Sequence, residues 1–268
     1  ILGSSYLAIG EYKKAIELLS AYLSIRQKTW MDAQGLLEKT YEGAHKRVVA
    51  RIQSGRAPDS IYKQAERLEN EQEQQFWSEY VSKQVEQDHD YRALTFALEK
   101  DAEVPVAIMD LGVAYLRLAQ IVPEQRTELL KKAEDSLLSM HSYASESTDY
   151  QLFLGQVYYW LGKSKEGRKQ FDAILVKHGQ DYAVLRNLAE TLRNIGVEGE
   201  ARELAEKAYE VANLKEQKHD AASFRALMAV DSEERISWLE KCDQTNLYTI
   251  IDMNTTKARI ARSNNEGK

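Results

Sequence analysis

Five histidines, one cysteine and a Gly-Lys-Ser turn are the most reactive-looking residues in this 268-residue chain, and none sits in a pattern that a reaction requires. His45, His89, His141, His178 and His219 are scattered. No two stand three or four apart, so no helix face carries a paired zinc ligand set. Asp88-His89-Asp90 is compact and acidic, and reads as a charged turn. Gly162-Lys163-Ser164 has the ending of a phosphate loop. That loop also needs a glycine five residues earlier, where Val157 stands, and a preceding strand. Cys242 has only Lys241 beside it to favour a thiolate, which is weak activation. A lone cysteine also excludes an internal disulfide or a cysteine-cluster metal site. The expectation is a protein without catalysis, cofactor or metal.

Charge narrows the classes further. The net charge of −6 disfavours general binding to a phosphate backbone. Asp59 to Asp90 holds nine acidic and three basic residues, as a solvated helical face or a surface that steers a basic partner. Lys257, Arg259 and Arg262 form a small basic cluster without the interleaved aromatics of a single-strand binder. Nucleic acid is therefore not an expected partner. No apolar run approaches the ~18–20 residues that a spanning helix needs, so no membrane insertion is expected. The cytoplasm is the expected location.

Something must position these residues, and the composition says it is helices. With three prolines in the whole chain, long stretches lack an obligatory breaker. Ala, Leu, Glu, Lys, Gln and Arg dominate, and no β-branched alternation marks a strand. Pro58 with Asp59 sits between two helical patterns, after Ser54-Gly55, and Pro105 falls in a helix's first turn. Asp231 and Glu234 have capping-box spacing before Ile236, Trp238 and Leu239. Gly10, Gly162 and Gly196 each close an apolar-periodic run, where a left-handed cap is expected.

The helices repeat. From Gly3, the residues at +3, +7, +12, +16 and +19 are Tyr6, Gly10, Ala15, Leu19 and Tyr22. From Gly155 they are Tyr158, Gly162, Gly167, Phe171 and Ile174. From Ala189, 34 residues further on, they are Leu192, Gly196, Ala201, Ala205 and Ala208. A fourth copy starts at Gly112 with Tyr115 and Ala119, and its second half, Ala133, Leu137 and Met140, arrives nine residues late. The excess sits around Pro123, where a turn belongs. Small residues at the origin and at +12 allow two antiparallel helices to approach, and larger ones fill the space between neighbours.

Leu2-Gly3-Ser4-Ser5-Tyr6, Leu111-Gly112-Val113-Ala114-Tyr115 and Leu154-Gly155-Gln156-Val157-Tyr158 resemble the opening of the tetratricopeptide repeat (TPR), a 34-residue helix-turn-helix unit. Leu188-Ala189 with Leu192 is a looser version, and the family's terminal proline is absent from all four copies. The resemblance implies an all-α fold, a right-handed superhelix of antiparallel helix pairs. Units are expected at 1–29, 105–147, 148–181 and 182–213, with degenerate hairpins at 30–104 and further hairpins at 214–268, all in one continuous solenoid. Trp30, Leu36, Leu37 and Tyr41 are expected to form one core stripe in the degenerate region, and Phe76, Trp77, Tyr80 and Val81 another.

In that family the first helix of each unit lines a concave groove. The positions carried over are Met109, Val113 and Leu116, then Leu152, Gln156, Tyr159 and Trp160, then Arg186, Glu190, Arg193 and Asn194. Trp160 could equally pack against a neighbouring helix. The Lys/Asn clamp of the family's chaperone-binding branch is not expected, since its positions carry Val113, Gln156 and Leu152. The implied function is a protein-interaction scaffold that holds a peptide or protein segment in the groove. A second reading is a sensor or regulatory segment of a larger multidomain bacterial-type protein with a fused effector. The chain opens on Ile1-Leu2-Gly3 without an initiator Met and closes on Asn265-Glu266-Gly267-Lys268, so a piece of a longer chain is expected.

Overall fold

Helices that bury one stripe and wet the other account for nearly everything in the computed structural model, which describes residues 2–266, with side chains as far as Arg262. Ile1, Gly267 and Lys268 lie outside the described residues. No strand occurs among the described residues, so the protein is all-α. The chain divides into two units, 1–118 and 119–268.

The first unit begins with α1 (Leu2–Ala8) and α2 (Tyr12–Gln53), joined at Gly10. Then come α3 (Asp59–Ala65), α4 (Asn70–Glu86), α5 (His89–Lys100) and α6 (Glu103–Ile121), within which the division between units falls. The helix α2 is 42 residues long and passes straight through position 29/30, where a boundary between repeat units was expected. The reason is local. No proline lies between Tyr12 and Gln53, the first glycine after the turn is Gly35, and the helix ends only at Ser54-Gly55. Its buried stripe is also not the expected one. Trp30, Ala33, Ala44 and Val48 are buried, whereas Leu36 and Tyr41 are exposed. Ala44 and Val48 meet Val81 and Val85 of α4, with Val49, Ile52 and Tyr91 at the margin. In α4, Val81 is buried while Phe76, Trp77 and Tyr80 are half-buried. Arg47 to Asp88 (2.6 Å) and Arg26 to Asp101 (3.1 Å) tie the two ends of α5 to α2.

By length and composition, α6 is apolar enough to cross a membrane, contrary to the sequence expectation that no such run exists. Half of it is buried inside the protein, and it carries Asp110 and Arg117. Its apolarity goes into packing: Val104, Ala107, Ile108, Ala114 and Leu116 have no exposed surface.

In the second unit a 3-10 turn, Pro123–Gln125, leads into α7 (Arg126–Leu138) and the single-turn α8 (His141–Ala144). The nine-residue excess is taken up here, by the run of α6 to Ile121, the 3-10 turn and the early start of α7. The helices α9 (Thr148–Trp160) and α10 (Ser164–His178) form one hairpin, and α11 (Tyr182–Asn194) and α12 (Glu198–Val211) the next. Then follow α13 (Lys215–Leu227), α14 (Ser232–Leu239) and α15 (Leu247–Glu266), each packed on the helix before it.

The turns at Gly10, Gly162 and Gly196 are the same object. Each glycine has positive φ (81°, 76° and 86°). In each, the following N–H donates back to the carbonyl of the +3 residue: Glu11 to Tyr6, Lys163 to Tyr158, Val197 to Leu192, at 2.8–2.9 Å. Only glycine enters that backbone region at low cost.

Candidate partner-binding face

The hairpins are closed by matched volumes at the origin and +16. A Cβ on Gly3 would lie 2.6 Å from Leu19 Cγ, and one on Gly155 would collide with the Phe171 ring. In the third copy the origin is Ala189 and its partner shrinks to Ala205, both fully buried. The second close approach in the α9–α10 hairpin is at +12. A Cβ on Gly167 would strike the Tyr159 ring, which stacks on Phe171 with centroids 5.4 Å apart. Leu152, Phe171, Ile174, Leu188, Leu192 and Phe224 continue this core across both hairpins into α13.

This packing corrects part of the expected groove. Tyr159 belongs between its own two helices, because Gly167 leaves a flat bed for its ring. Leu116 and Gln156 are buried, and Leu152 joins the core. Met109 and Val113 are half-buried on α6, in the first unit. Trp160 is half-buried beneath the Arg126 guanidinium, 5.2 Å from its ring centroid, and its enclosed indole N–H has no acceptor.

Of the remaining four expected residues, Arg186, Glu190 and Arg193 come together on α11, while Asn194 is exposed at the helix end, apart from them. Arg186 lies over the Phe224 ring of α13 at 3.6 Å and pairs with both Glu190 (3.0 Å) and Asp220 (2.9 Å). Arg193 is exposed and stands 5.7 Å from the same ring. Tyr182 donates its hydroxyl to Asp220 at 2.5 Å, and burial followed by that carboxylate raises its pKa above the ordinary tyrosine range. Asp220 and Phe224 are missing from the sequence expectation, yet the signal existed. Arg186 and Asp220 are 34 residues apart, so one further period leads from one to the other.

Beside this cluster, α9 and α11 leave a cleft of about 180 Å³. Leu152, Ile174, Val184 and Leu188 form its apolar floor, and Asp149 and Asn187 stand at its exposed rim. The helix starts that frame it are fixed by side chains. Ser147 accepts from the Tyr150 N–H, and Asp181 from the N–H groups of Ala183 and Val184.

The reactive-looking residues have structural work. Lys163 ends a hairpin turn and pairs with Glu134 at 2.5 Å. Cys242 is buried against Ser223, and burial pushes its thiol pKa up, opposite to what a nucleophile needs. His219 accepts the Asp243 N–H at 3.0 Å, and His141 meets the Tyr150 hydroxyl at 3.2 Å. Among the described residues, no group of three or more His, Cys, Asp or Glu could hold a metal ion. No protein-family model matches the chain, and no curated protein is similar to it.

Proposed function

We propose that the second unit is a TPR-type interaction module that holds an extended peptide or a protein segment on the face of its first helices, α9, α11 and α13, without chemistry. The observation that carries this reading is the Arg186 bridge. It spans one 34-residue period and holds α11 and α13 side by side. Neighbouring first helices then present one continuous surface, as stacked repeats do. The cleft beside Asn187 is sized for one side chain of a bound segment, and Asp149 and Asn187 supply polar contacts at its rim. A few anchored side chains in such a cleft carry most of the affinity at interfaces of this kind.

The test is selection of displayed peptides on the intact chain, followed by Kd measurement against Asn187→Trp. The exposed Asn187 side chain can be enlarged without disturbing the core, and the indole would fill the cleft. Binding is expected to weaken by about tenfold or more, with helicity unchanged. Selected peptides that bind Asn187→Trp as tightly as the native chain would remove the cleft from the reading.

A further inference from the structure

The last described helix leaves its most apolar turn in solvent. On α15, Thr249 and Thr256 are buried and Asp252 and Met253 half-buried, and this side faces α14. Asp252 is held there by both Nε and Nη2 of Arg235, at 3.2 and 2.7 Å. The Thr256 hydroxyl is satisfied by the carbonyl of Asp252 at 2.8 Å. The opposite side shows Leu247 (65% exposed), Tyr248 (82%) and Ile251 (52%) to solvent. Leu247, Ile251, Thr255, Ala258 and Arg262 follow at steps of three and four residues, so they form one outward stripe.

An amphipathic helix normally buries its apolar side. Here the inward side is mixed: Met253 packs on the cluster of Trp238 and Leu239, Arg235 holds Asp252 beside it, and Leu247, Tyr248 and Ile251 stay outside. The charge around this stripe has one sign, with Arg262 on it and Lys257 and Arg259 on its two flanks. Lys257, Arg259 and Arg262 are all exposed, and the one described carboxylate of α15, Asp252, is engaged by Arg235.

We infer that this stripe docks an acidic amphipathic helix of another protein. Its apolar residues would cover Leu247, Tyr248 and Ile251, and its carboxylates would face Lys257, Arg259 and Arg262. The surface lies on a different helix from the α9–α11–α13 face, so the inference stands or falls separately from that reading.

The experiment uses the intact chain and two fluorescein-labelled helical peptides, one of Leu and Glu with helical spacing and its counterpart with every Glu replaced by Gln. The acidic peptide is expected to bind at least about tenfold more tightly. Ile251→Glu, and separately the triple change Lys257→Glu, Arg259→Glu, Arg262→Glu, should each abolish most of that advantage. All these positions are exposed, and circular dichroism confirms that the variants fold. Equal affinity for the two peptides, or an Ile251→Glu variant that binds as the native chain does, overturns the inference. Sedimentation with vesicles of phosphatidylserine and phosphatidylcholine, and of the chain alone, checks the other occupants. Vesicle binding or a dimer that Ile251→Glu abolishes, in the absence of peptide binding, assigns the stripe to a lipid surface or a second copy and overturns the inference as well.

Discussion

The volume exchange between the origin and +16 makes a sharp prediction for single residues. Gly155→Ala drives a methyl group into the Phe171 ring, and overpacking of this kind costs about 1–3 kcal/mol. Phe171→Ala leaves a cavity and costs about 3–5 kcal/mol. The double variant rebuilds the Ala/Ala pair seen at Ala189 and Ala205, so Gly155→Ala should cost far less in that background. Urea denaturation of the four proteins gives the coupling energy. A coupling of zero would mean that the two residues do not share the space assigned to them. Glycine at the origin was legible in the sequence. Its reason was not, because only the packed ring across the hairpin shows why alanine suffices at one copy and fails at another.

Helix ends and turns were read well from sequence where one residue decides the backbone. The left-handed glycines and the Asp231 cap are of that kind, with the Glu234 N–H donating to Asp231 at 2.7 Å. The unbroken α2 was misread because a repeat period was extrapolated over a stretch that contains no breaker. Arg186, Glu190 and Arg193 came from carrying over the repeat resemblance, and the structure brings them together on α11, whereas Tyr159 was assigned outward because nothing local reveals that Gly167 faces it. The turn between α14 and α15 carries a pH prediction. Asp243 accepts from both the hydroxyl and the N–H of Thr245 and pairs with Lys215, and its pKa falls from 3.8 to about 2. A depressed folded pKa stabilises above the unfolded value and is lost as pH falls through the folded one. This contribution should therefore be full above about pH 4 and fade toward pH 2. Thermal midpoints across pH 2–5 should fall less steeply for Asp243→Asn than for the native chain. Identical slopes would show that the turn does not depend on this carboxylate.

Across the whole molecule, burial is uneven, and local stability should follow it. Ala189, Leu192, Ala201 and Ala205 of α11 and α12 are almost wholly enclosed, whereas α5 contains no buried residue. Hydrogen exchange followed by mass spectrometry should find the α11–α12 amides most protected and those of α5 exchanging early. Comparable protection in both would contradict a stability set by local packing. Arg225, 4% exposed, ties this region to its neighbours by pairing with Glu206 of α12 at 2.8 Å and Glu234 of α14 at 2.5 Å.

The matched pairs at the hairpin seams also limit how such a chain can be rearranged. A chimera that joined α9 to α12 would set Gly155 opposite Ala205 and leave a hollow the size of a benzene ring. The reverse graft, α11 with α10, would force Ala189 onto Phe171. Recombination is therefore tolerated between hairpins and penalised within them, so the hairpin, rather than the helix, is the smallest piece that can be moved.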